Sequence, residues 1–188
     1  MRIVIIGGGI AAAYLANRIK NLRSDVDVLI VSDEVVSPYD RIHLCSLVDQ
    51  SATLNDISLP LNPTVQLELN EKITSIDTKS KRIFSEHSVF SYDTLIIATG
   101  SLPQTLFDIR GLKNASVFRS AEDCKKISEG MGDREVVIVG AGPIGLELME
   151  TLNKMTSVRH ITLLVRGGHS SNHLECFSQR LQRSKRTL

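Results

Sequence analysis

Two glycine clusters carry the chemistry that can be read most directly from the chain. Gly7, Gly9 and Ala12 follow the β-branched run Ile3-Val4-Ile5-Ile6, and Gly140, Gly142 and Gly145 follow Val136-Val137-Ile138-Val139. In a G-x-G-x-x-G/A turn between strand and helix, the first small residue makes a tight turn. The second lets the backbone approach a pyrophosphate, and the third allows helix and strand to touch. The following helix starts at Ile10-Ala11 in one copy and at Pro143-Ile144 in the other. Its first N–H groups and the positive end of its dipole favour an anionic diphosphate. One such pattern also fits a plain glycine turn; two copies in the same context make nucleotide binding the expectation.

The elements that must position these residues repeat as well. The offset is 133 positions, and it carries the apolar run 28–31 onto 161–164. Between the strands, Leu15, Ile19 and Leu22 in one copy, and Ile144, Leu148, Leu152 and Met155 in the other, recur at helical spacing. Each unit therefore reads strand, glycine turn, helix, strand. A carboxylate at the tip of the second strand normally receives the ribose hydroxyls. Asp33 stands 21 residues after Ala12, with Glu34 beside it as a competitor, whereas the same offset in the second unit reaches Arg166. An arginine cannot accept from a ribose hydroxyl but pairs with a 2'-phosphate, so the second unit leans toward NADPH or discriminates weakly. An exposed strand-end arginine without a ligand is the alternative.

Composition narrows the partners. Among 188 residues, 42% are hydrophobic and 23% charged, and the net charge of +1 creates no field to attract nucleic acid. The longest apolar runs fall short of the roughly 18 residues of a membrane span, so no membrane partner is expected. Glycines interrupt residues 1–16, which therefore read as structure and not as a leader. Cys45, Cys124 and Cys176 are widely separated and form no CxxC pair, which disfavours a zinc or iron-sulfur site and fits a reducing, cytoplasmic compartment. Cys124 and Cys176 read as helix residues. His169 and His173 are four apart but follow Gly167-Gly168, so no metal is expected there.

Residues 71–92 alternate around a polar turn and read as a small β-meander. It leads into Tyr92-Asp93-Thr94-Leu95-Ile96-Ile97-Ala98-Thr99-Gly100-Ser101-Leu102-Pro103. This segment resembles the signature of the two-dinucleotide-fold flavoproteins, the pyridine nucleotide-disulfide oxidoreductases and their non-disulfide relatives. Residues 117–123 resemble that family's link into its second domain, with Ser120 and Asp123 placed to cap a helix. The resemblance implies FAD and NAD(P)H as cofactors. It assigns FAD to Gly7, Gly9, Ile10, Ala11, Ala12, Asp33, Arg41, Ile73, Thr99 and Gly100. NAD(P) falls to Gly140, Gly142, Pro143, Ile144, Gly145, Glu147 and Arg166. More narrowly, Tyr39-Asp40-Arg41-Ile42-His43-Leu44-Cys45-Ser46 resembles the flavin-flanking segment of the NAD(P)H-dependent nitrite reductase large subunit. Rubredoxin and ferredoxin reductases normally carry a lysine where this chain has Ser46.

The expected fold is α/β, with two Rossmann-like dinucleotide-binding units: an FAD-binding unit over 1–110 with the meander at about 71–92, and an incomplete NAD(P)-binding unit over 111–188. The implied reaction passes hydride from NAD(P)H to FAD and electrons on to a separate acceptor, protein or small molecule. Two alternatives stay open: a single-cysteine NADH oxidase or disulfide reductase using Cys45, and a non-catalytic truncated remnant. The resemblance fades after about residue 165. The basic stretch 167–188 is expected to bring no third strand, and the family's later flavin-holding segment is not among these residues. Flavin binding is therefore expected to be weak.

Overall fold

The computed structural model describes residues 1–105, 108–109, 111–132, 134–166 and 174–180. It divides into two compact units, one of residues Met1–Arg41 and Leu54–Gln104, the other of Ile42–Thr53 and Thr105–Leu188.

In the first unit, β1 (Arg2–Ile6), α1 (Ile10–Leu22) and β2 (Asp27–Val31) form a crossover with parallel strands, Arg2 opposite Asp27 and Ile6 opposite Val31. Short strands β3 (Gln66–Glu68) and β7 (Thr94–Ile97) extend the sheet in the order β3-β2-β1-β7, all parallel. Continuous apolar runs suit strands buried on both faces. One face packs Ile3, Ile5, Val28 and Ile30 against Ala12 and Ala16 of α1, whose small side chains let the helix lie close. The other face, Val4, Ile6, Leu29 and Val31, is covered by an antiparallel meander of β4 (Ile73–Asp77), β5 (Arg82–Ser85) and β6 (Val89–Ser91), through Ile83, Ile73 and Phe90.

The second unit repeats the crossover with β8 (Arg134–Val139), α4 (Pro143–Lys154) and β9 (Val158–Arg166), parallel with Val136 opposite Ile161. Helix α3 (Ala121–Gly130) opens on a full capping box: Ser120 Oγ accepts from the Asp123 N–H, and the Asp123 carboxylate accepts from the Ser120 N–H. The short α2 (Leu44–Val48) packs on α3 and α4, burying Leu44, Cys45 and Val48. Among the described residues β8 pairs only with β9. Val137 and Val139, the counterparts of the buried Val4 and Ile6, are exposed.

One expectation is overturned. The stretch after residue 166 brings a third strand, β10 (Leu174–Arg180), antiparallel to β9 with Leu174 opposite Arg166 and Arg180 opposite His160. Cys176 is accordingly a strand residue and not a helical one. A parallel neighbour would need a crossover of about a dozen residues or more, which the short separation between Arg166 and Leu174 does not allow, so the pairing is antiparallel. The open edge of β9 offers the hydrogen-bonding groups. His169 and His173 lie outside the described residues.

Candidate nucleotide sites

In the first turn, the Gly7 N–H donates to the Val31 carbonyl at 2.8 Å, tying the turn to the neighbouring strand. Gly7 has φ +112°, and a Cβ there would lie 2.3 Å from the Ala98 carbonyl oxygen and 3.0 Å from Thr99 Cα. The fold itself thus requires this glycine, and it brings the Thr99-Gly100 turn beside the fingerprint. Gly9 differs. It caps α1 in an extended conformation, φ −89° and ψ −178°, which any residue adopts, and a Cβ would meet nothing within 4 Å. Ile10 and Ala11 are exposed at the helix start, and Ala12 is fully buried against the sheet.

The second turn follows the same plan. Gly140, with φ +113°, donates its N–H to the Leu164 carbonyl at 2.9 Å, the counterpart of the Gly7 bond. A Cβ on Gly145 would lie 2.1 Å from the Gly140 carbonyl oxygen, so the third glycine is needed for helix and strand to touch. Gly142 caps α4 at φ −73° and ψ 173°, with Pro143 beginning the helix, and a Cβ on it would again meet nothing. Gly9 and Gly142 therefore answer no demand of the chain. Glycine there keeps clear the space before a helix N-terminus, where a diphosphate would be held.

At the tip of β2, Asp33 is exposed and Glu34 is half-buried. The Glu34 carboxylate accepts from the Tyr39 hydroxyl at 2.7 Å and pairs with the Arg41 guanidinium, which lies 5.1 Å from the Tyr39 ring centre. The sequence pointed to Arg41 singly; the three-residue cluster was missed, although a tyrosine and an arginine two apart beside an acid were its visible signal. Arg166 ends β9, and Glu147 is exposed on α4. Ile73, half-buried at the start of β4, packs against the core of the first sheet.

Cys45 is buried in the second unit beside Thr151 and Glu147. Burial, with the Glu147 and Asp49 carboxylates adding to it against a hydrogen bond from Thr151, pushes its thiol up to about 11. Cys124, whose Sγ donates to the Leu44 carbonyl at 3.5 Å, is pushed up to about 12. At pH 7 a thiol of that kind is thiolate in about one molecule in ten thousand, and the thiolate is the nucleophile. Cys45 in the folded chain is therefore expected to react with iodoacetamide at pH 7 at least tenfold more slowly than in urea, as read by mass spectrometry of the Cys45 peptide. Equal rates would show that the thiol is open and activated.

The comparisons bear on this geometry. The family model described as pyridine nucleotide-disulphide oxidoreductase matches residues 1–185. The chain belongs to this family. Pyridine nucleotide-disulphide oxidoreductases bind FAD and NAD(P)H, and two turns kept clear before helix N-termini fit two dinucleotides. Among relatives, the chain is 33% identical over 172 residues to the monodehydroascorbate reductase seedling isozyme of Cucumis sativus, covering 77% of this chain and 39% of that protein. It is 31% identical over 156 residues to the assimilatory nitrate reductase electron transfer subunit of Bacillus subtilis, covering 78% and 20%. The putidaredoxin reductase–putidaredoxin complex superposes with a TM-score of 0.74 at 25% identity, over 86% of this chain and 41% of that chain. The chain thus spans between one fifth and about two fifths of the length of these proteins.

Proposed function

We propose that the first unit holds FAD, that the second unit holds a nicotinamide nucleotide, and that the pair serves hydride transfer from nicotinamide to flavin, with electrons leaving to a separate acceptor. The observation that carries this reading is the open space at Gly9 and Gly142, which the fold does not require and a diphosphate would fill. When bound, NAD(P)H and FAD supply the redox chemistry itself. The chain's part is to bind and orient: the α1 and α4 N-termini face the diphosphates, and Asp33 and Glu34 receive the adenosine ribose of FAD. Of these two carboxylates, Glu34 is already held by Tyr39 and Arg41, so less ordering is needed on binding. The segment from Tyr39 to Leu44 and the likeness to a nitrate reductase electron transfer subunit support a place in the nitrite-reductase-like branch, with a redox partner as acceptor. Titrating the full chain with FAD, followed by flavin fluorescence, tests the first assignment: Gly9→Val should abolish the binding seen with the parent chain, and an unchanged isotherm overturns it.

The nicotinamide assignment has a sharper form. By the 133-residue offset, which the Gly7–Val31 and Gly140–Leu164 bonds keep, Arg166 corresponds to Asp33, although Asp33 follows the end of β2 and Arg166 is the last residue of β9. A 2'-phosphate paired there should favour NADPH over NADH by about 1–3 kcal/mol, the usual size of a charged hydrogen bond. Calorimetric titration with both nucleotides checks this, and Arg166→Gln should bring the two affinities together. Equal affinities in the parent chain would overturn the role of Arg166.

A further inference from the structure

Gly8, the middle glycine of the first turn, is the feature that the nucleotide sites leave unexplained. Its backbone lies outside the left-handed region, so its conformation does not call for glycine. A Cβ there would lie 2.4 Å from Ser32 Oγ and 2.9 Å from Ser32 Cβ, with no other atom beyond its chain neighbours within 4 Å. A side chain at position 8 would therefore have to displace that of Ser32. The counterparts at the 133-residue offset are Ala141 and Val165, so the second turn carries a Cβ where the first carries none.

Ser32 directly follows β2 and is 1% exposed, a rare burial for a polar residue. Its backbone is fixed on both sides: the N–H donates to the Glu68 carbonyl at 2.9 Å, and the carbonyl accepts from the Glu71 N–H at 2.8 Å. Its Oγ accepts from the Glu34 N–H at 3.2 Å, closing a serine turn around Asp33. The Glu34 carbonyl in turn accepts from the Asn70 N–H at 2.9 Å. Thus one hydroxyl touches the fingerprint turn on one side and sets the backbone of both carboxylate-bearing residues on the other.

We infer that Ser32 is a positioning residue for the ribose of the nucleotide bound by the first unit, locking the spacing between the diphosphate turn and the carboxylates of Asp33 and Glu34. This rests on the proposed nucleotide role of that unit. The diphosphate and the ribose are joined by a few covalent bonds that limit how far apart they can lie, so turn and acid must stay within that reach. Gly8 against Ser32 sets their separation by contact, and the Ser32–Glu34 bond sets the direction of the strand tip. Glycine at position 8 follows, because a methyl group there would push the hydroxyl off the Glu34 N–H.

The test uses the full chain with Gly142→Val, so that only the first unit reports, titrated with ADP and 2'-deoxy-ADP. That protein should prefer ADP by about tenfold, the worth of a charged hydrogen bond to the 2'-hydroxyl. Adding Ser32→Ala should cut the preference to about twofold while leaving the affinity for 2'-deoxy-ADP unchanged. Gly8→Ala should do the same by displacing the hydroxyl. The pair Gly8→Ala with Ser32→Gly should recover the thermal midpoint that Gly8→Ala loses, yet keep the weak preference, which separates packing from positioning. An undiminished preference in Ser32→Ala, or an equal loss of both nucleotides, overturns the inference and leaves the nucleotide assignment standing. Failure of the Gly142→Val chain to bind ADP at all overturns both.

Discussion

Gly142→Val should bind NADPH at least about a hundredfold more weakly than the parent chain, a loss of roughly 3 kcal/mol, while the protein stays folded. Valine adopts φ −73° and ψ 173° without strain, and no atom beyond its chain neighbours lies within 4 Å of its Cβ. The fold therefore loses little beyond the poorer helix cap, about 1 kcal/mol. A ligand diphosphate, however, would find two methyl groups where it must meet the first N–H groups of α4. Calorimetry for binding and urea unfolding for stability separate the two effects. NADPH affinity within threefold of the parent would place the nucleotide elsewhere, and so would overturn the reading of the second turn.

The opposite pattern is expected at the first residue of the other turn. Gly7→Ala should cost about 3–5 kcal/mol of stability, among the larger losses a single methyl group causes. Two independent strains combine: a φ of +112° that L-residues avoid, and a Cβ placed 2.3 Å from the carbonyl oxygen of Ala98. That oxygen belongs to backbone held by the Ala98 N–H bond to the Ile6 carbonyl at 2.8 Å, so it has little room to yield. Gly9→Ala, two residues on, should leave the unfolding free energy within about 0.5 kcal/mol of the parent. Urea midpoints of the two variants give the comparison directly, and a Gly7→Ala chain as stable as the parent would show that the turn relaxes freely.

The parts of the fold that were legible in the sequence share one physical property: they are local. A β-branched run, a glycine turn and a helix with apolar residues at helical spacing fit within a few tens of residues, so both crossovers could be read, as could the Ser120–Asp123 cap. What escaped depends on residues far apart. The sequence cannot say that Ile83 and Phe90 cover Val4 and Ile6, nor that Val137 and Val139, identical in pattern, stand exposed. It hid β10, because an edge strand is chosen by the open hydrogen bonds of its neighbour more than by its own composition. At the site, residue type named the glycines, but only the distances around each Cβ divide them into those required by the fold and those that are not.

That division also bears on history. In any descendant that still folded, Gly7 and Gly145 would be retained whatever the protein had come to do, because every larger residue there collides with backbone. Gly9 and Gly142 have no such protection. A lineage released from its small-molecule guests would lose them early, since nearly every base change in the first two letters of a glycine codon inserts a side chain that the fold accepts. Both glycines still stand in this chain. A protein drifting into disuse would have its turns silted up before its core decayed.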